Sequence, residues 1–130
     1  MRKAIAALIL AFASTSALAE PESGVGYPTV QLAVSALRAD PEAKGGLQNG
    51  WYVIYVEKGI NEGIWHLTSQ QHSAHPSAVR RLLKDKDGQL FIDMRILCGG
   101  EKTVCDQLAD DSRKMNEQIA SDVKAKQKKQ

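Results

Sequence analysis

Trp51-Tyr52-Val53-Ile54-Tyr55-Val56 consists throughout of aromatic and β-branched residues, the side chains that fit a pleated sheet. Its apolar character does not alternate, so it predicts a strand covered on both faces. Gln48-Asn49-Gly50 reads as the turn before it, and Lys58 to Gly63 supplies glycine and asparagine for a hairpin loop after it. Ile64 to Thr68 then returns as a second strand. Ala78 to Lys84 pairs with Gln89 to Cys98 across Asp85-Lys86-Asp87-Gly88, an Asp-Gly hairpin signal. In that last strand Leu90, Ile92, Met94, Ile96 and Cys98 share one face, and Phe91, Asp93, Arg95 and Leu97 the other. The result is a four-stranded antiparallel meander.

Helical patterns flank it. Thr29 is placed to cap a helix whose apolar face is Val30, Ala33, Val34 and Leu37. Asp40-Pro41-Glu42 restarts the pattern, with Asp as cap and Pro in the first turn, and predicts a short second helix before Gly45-Gly46. At the other end Val104, Leu108, Met115, Ile119 and Val123 recur at spacings of four and seven, one narrow helical face from about Val104 to about Lys126. Leu108, Met115 and Ile119 are expected to be buried under the sheet. The order α-α-β-β-β-β-α is that of a two-layer α+β domain, with the last helix across the inner face of the meander near the first helix.

The beginning of the chain has a different character. Arg2 and Lys3, the apolar run Ala4 to Ala13 and the site Ala17-Leu18-Ala19 have the layout of a secretory signal peptide, residues 1–19. The apolar run is too short to span a bilayer as a permanent helix, and no second one follows. The expected mature chain is one domain, residues 20–130, with flexible ends, in the periplasm or the medium. Its leader Glu20 to Gly26 is polar. Both charges lost with the signal are basic, so the mature chain carries 15 residues of each sign. A neutral domain lacks the basic footprint of nucleic-acid binding. Lys124, Lys126, Lys128 and Lys129 read as a solvated helix end whose cations suit the helix dipole. In an oxidising compartment Cys98 and Cys105 read as a disulfide; they lack C-x-x-C redox spacing and a local histidine that would make a zinc site.

Candidate chemistry is sparse. His66, His72 and His75 fall within ten residues, and converging imidazoles would bind a metal. No H-E-x-x-H helix is present. Ser69, Ser73 and Ser77 lie nearby without a nucleophile elbow. Asp93 and Glu57 are acids by position only, and Gly45-Gly46 and Gly99-Gly100 are turn glycines outside any phosphate-binding motif. A second cluster joins Trp51 and Tyr52 to Arg80, Arg81 and Arg95, with Lys84, Lys86 and Phe91 beside them. Those are residue types that dominate binding energy at interfaces, so this cluster is the expected docking surface.

Tyr27-Pro28-Thr29-Val30, the Asp40-Pro41 restart, Gly50-Trp51-Tyr52-Val53, His75-Pro76-Ser77-Ala78-Val79-Arg80-Arg81 and the cysteine pair together resemble the quorum-sensing-regulated virulence factor family of small secreted bacterial proteins. The resemblance spans roughly Tyr27 to Val123. It implies an α+β secreted protein whose production is linked to cell density, and brings no catalytic residues with it. The expected function is therefore non-enzymatic binding of a protein or cell-envelope partner, without a cofactor. Two alternatives stand beside it: a small metal-binding protein or hydrolase using His66, His72 and His75, and an inhibitor of a periplasmic or host enzyme.

Overall fold

The computed structural model describes residues 24–128, so the signal-peptide reading and Lys129 lie outside the described residues. The chain runs α1 (Val30–Ala39), β1 (Ala43–Gln48), β2 (Trp51–Val56), β3 (Gly63–Thr68), β4 (Ser77–Lys86), β5 (Gln89–Cys98), α2 (Lys102–Lys128). The class is α+β. The sheet is antiparallel in the order β1-β2-β3-β4-β5, each strand beside its neighbour in sequence.

The short helix expected at Asp40 is replaced by a fifth strand. Asp40 does accept the Glu42 N–H at 2.9 Å, as a cap would, but the chain then extends into β1. The reason lies downstream. Asn49 and Gly50 both adopt positive φ, 51° and 82°, the signature of the two-residue turn that joins paired strands. With β2 fixed on one side of that turn, Ala43 to Gln48 must lie opposite it, from Ala43 against Val56 to Gln48 against Trp51. Gly45 accepts the geometry because it alone fits: at φ 143° an added Cβ would meet the Val53 carbonyl oxygen at 1.9 Å. The second hairpin forms as expected. Asp87 and Gly88, at φ 55° and 80°, turn β4 into β5.

Cross-strand neighbours share a face, so the pairing assigns every side chain. Ile54, Trp65, Arg80 and Arg95 align on one face; Val53, His66, Val79 and Ile96 align on the other. On the first face Ala33 and Leu37 of α1 pack with Val25, Val56, Trp65, Leu67 and Ala78. On the second, Leu108 of α2 packs with Ala74 and Val79, flanked by Trp51, Met94 and Ile96. The two helices thus cover opposite faces, correcting the two-layer arrangement that placed them together. Cys98 points from β5 to the second face, and its bond to Cys105 starts α2 there. Cover on β2 is incomplete, because Tyr52 and Tyr55 remain 46% and 48% exposed. The leader is less free than expected at its end: Val25 is buried in the first core.

Burial along α2 also differs from expectation. Leu108 is buried, Met115 and Ile119 are half-buried, and Ser112 takes the other buried position. The stripe is too narrow to seat the helix by apolar contact alone, which gives weight to its covalent tether. Cys98 and Cys105 are bonded, with Cα atoms 5.9 Å apart. Closing a loop of seven residues is worth about 2.5 kcal/mol in the chain-entropy model. The double variant Cys98→Ser, Cys105→Ser should lose about that much in urea denaturation. A loss under about 0.5 kcal/mol would show that the bond contributes nothing to holding α2.

Candidate functional site

The side chains singled out in the sequence divide between the two faces. Trp51 and Tyr52 are neighbours in a strand, as are Arg80 and Arg81, so each pair splits across the sheet. The expected single surface is therefore two, and much of it is engaged within the fold. Arg80 lies over the Trp65 ring, 4.7 Å from guanidinium carbon to centroid. It donates to the carbonyls of Val25 at 3.0 Å, Ile60 at 2.9 Å and Glu62 at 2.8 Å. It staples the N-terminal segment and the β2–β3 loop to the sheet. Arg81, only 1% exposed, donates to Asn116 Oδ1 at 2.6 Å, to the Ser112 carbonyl at 3.0 Å and to His66 Nδ1 at 3.1 Å. Arg95 and Lys84 both lie 3.5 Å from the carboxylate of Asp93. Lys86 and Phe91 are exposed near the β4–β5 turn.

The three histidines are also engaged separately. His66 stands edge-on to Trp51, with ring centroids 6.0 Å apart. Burial, helped by the Arg81 charge, holds its pKa down at about 4. His72 packs on the same Trp51 at 4.6 Å and accepts the Ala74 N–H at Nδ1, 3.0 Å. His75 precedes Pro76 across a cis bond, and its Nδ1 lies 3.1 Å from the Thr68 carbonyl and 2.9 Å from the Thr68 hydroxyl. Among the described residues no group of three His, Cys, Asp or Glu side chains is placed to hold a metal ion. The hydroxyls nearby serve the loop: Thr68 Oγ1 accepts the Ser77 N–H at 2.8 Å, and Ser77 Oγ donates to the Ala74 carbonyl. Ser69 is buried, Ser73 is exposed, and Glu57 lies exposed past the end of β2.

What the fold does build is a groove of about 610 Å³ on the α1 face, between α1, the β1–β2 hairpin and the Ser69–His75 loop. Ile54 and Leu67 floor it, Val30 and Val34 of α1 wall it, and Tyr52 stands at its open side. It exists because α1 packs over Val56, Trp65, Leu67 and Ala78 and leaves the turn end of the hairpin, at Leu47 and Tyr52, uncovered. The rim carries Arg38, Gln70, Gln71 and His75. Asp40, the acid of the groove, is committed: its carboxylate accepts from Asn61 Nδ2 at 3.0 Å and from the Glu42 N–H, and these bonds hold its pKa below the usual carboxylate range. The groove thus carries one charge of each sign, the Arg38 cation on the rim and the Asp40 carboxylate, which these bonds keep ionised.

Of the candidate side chains that the sequence marks, Tyr52, Ser69 and His75 reach this groove. Arg38, Gln70 and Gln71 are functional candidates that sequence reasoning misses. The Gln-Gln pair in a polar loop is a visible signal, but nothing local tells that the loop closes one end of a groove walled by α1. No family model, no curated protein and no solved structure matches the chain.

Proposed function

We propose that this is a non-enzymatic, exported protein that binds a macromolecular partner, and that an extended, amphipathic segment of that partner lies in the α1–β1–β2 groove. The groove itself carries the reading: an apolar floor, an aromatic at its open side and a polar rim, beside an edge strand whose outer side is unpaired among the described residues. Tyrosine and arginine are suited to this role, since each brings large contact area and directional bonding. The engagement of His66, His72, Thr68 and Ser77 in bonds to the chain itself favours binding over catalysis. The bonded cysteine pair and the signal-peptide pattern favour export. Among the described residues no helix is long and apolar enough to cross a membrane. On the family resemblance we extend the proposal to a role in virulence, with production linked to cell density.

A photo-crosslinking residue placed at Tyr52, in the cells that produce the protein, should yield one discrete adduct. The same residue at Phe91, equally exposed but on β5, should not. Arg38→Gln with Gln71→Ala should reduce the Tyr52 adduct about tenfold, the effect of losing one well-formed interface contact. No adduct at Tyr52, or the same adduct at Phe91, would overturn the assignment. Arg80→Ala and Arg81→Ala are unsuitable here, because both arginines hold the fold together.

A further inference from the structure

Arg81 is a cation only 1% exposed to solvent whose bonded partners are all uncharged: the Asn116 amide, the Ser112 carbonyl and the His66 ring. A guanidinium has no acceptor, so the contact to His66 Nδ1 requires a lone pair there and places the ring proton on Nε2. Asn116 and Ser112 both belong to α2. Arg81 therefore joins the sheet to the helix through the same fork that reads the protonation state of His66. We propose that this fork is an acid-sensitive latch: when His66 takes up a second proton, two cations and two N–H groups oppose each other, and α2 is released from the sheet.

The surroundings leave little alternative relief. From β2 the ring faces Trp51 and Val53, and from β4 it faces Val79 and Arg81. On β3 its same-face neighbours Ile64 and Thr68 are uncharged. From α2, Asp111 lines the same small void of about 20 Å³ with Ser112 and Met115, but it is exposed and accepts from Gln107 at 2.8 Å. His72 lies against Trp51 as well. The helix has few other anchors, with Leu108 and Ser112 its buried residues and Cys105 its tether. Release would bare Val79, Trp51, Met94 and Ile96, the second core.

In the released state His66 is a solvated imidazole that titrates near 6.5, whereas the docked ring titrates at about 4. Between those values the released state binds more protons, so lowering the pH favours release; well above 6.5 the equilibrium is flat. The released fraction should rise about 25-fold from about pH 7.5 to about pH 5, steepening toward a factor of about ten per pH unit between the two pKa values.

Hydrogen exchange of the whole protein at about pH 7.5, 6, 5 and 4.5, corrected for intrinsic rates, tests this directly. Protection of the α2 amides should fall along that series while the β3 and β4 amides keep theirs. His66→Asn, which keeps an acceptor near Nδ1 and cannot titrate, should remove the difference. Asp111→Asn should leave it in place. Equal loss of protection in helix and sheet would mean that His66 acts only through global unfolding and would overturn the latch. So would a pH response that survives in His66→Asn or vanishes in Asp111→Asn. If His66→Asn does not fold, the native helix-against-sheet comparison and the Asp111 variant still decide.

Discussion

Trp65→Ala is expected to cost about 3–5 kcal/mol, the usual range for truncating a fully buried aromatic. Trp65 is 0% exposed, at the centre of the core beneath α1. Three other features depend on it. Its indole N–H donates to the Asn61 carbonyl at 2.8 Å, holding the β2–β3 loop. Asn61 in turn bonds Tyr27 and Asp40, so the loop, the N-terminal segment and the end of α1 meet there. The Arg80 guanidinium rests on the indole face. Against a typical total stability of about 5–15 kcal/mol, the variant should be largely unfolded or close to it at about 37 °C. Trp65→Phe keeps most of the packing but loses the N–H, and should cost about 1–2 kcal/mol. Urea denaturation of both checks the assignment. A loss under about 1 kcal/mol for the alanine variant would mean that this core does not carry the fold.

On the other face the decisive residue is Arg81. Arg81→Ala should destabilise by about 3 kcal/mol, from a cavity and from two acceptors, Asn116 Oδ1 and His66 Nδ1, left without a donor; the Ser112 carbonyl keeps its helical partner. The figure is a difference of opposing terms, since removing the charge also recovers the cost of burying a guanidinium without a carboxylate. Two orphaned acceptors at about 1 kcal/mol or more each, added to the cavity, outweigh that recovery. Arg81→Met separates the contributions by refilling the volume without the hydrogen bonds, and should lose about half as much. If Arg81→Met proves as stable as the native protein, packing rather than the fork holds α2.

Much of the fold was legible because its determinants are local. Thr29 accepts the Leu32 N–H at 3.1 Å and starts α1 where the sequence places a cap. Asp87-Gly88 makes the second hairpin with the backbone angles that such a pair favours. The β-branched and aromatic run at 51–56 is β2, and the parity of β5 follows directly from alternation. Ala43 to Gln48 was not legible as a strand. Ala-Lys-Gly-Gly-Leu-Gln has no strand propensity of its own, and the capping signal at Asp40 is satisfied equally well by a turn. Pairing across Asn49-Gly50 decided it, a tertiary override of a weak local preference.

The candidate site was less legible still. Residue type marked Trp51, Tyr52, Arg80 and Arg81 as interface-forming, and strand parity alone already implied that neighbours diverge. It could not say that Arg80 and Arg81 would be consumed in holding the N-terminal segment and α2, because their acceptors lie 15 to 55 residues away in sequence. By itself the sequence determined the class, the meander after β1, the Thr29 cap, the hairpin turns and the cysteine bridge, each set by the conformational preferences of a few adjacent residues. Tertiary structure alone decided the fifth strand, the placement of α1 and α2 on opposite faces and the groove beside Tyr52. Those depend on which surfaces meet, and surfaces are assembled from residues that only the completed sheet brings together.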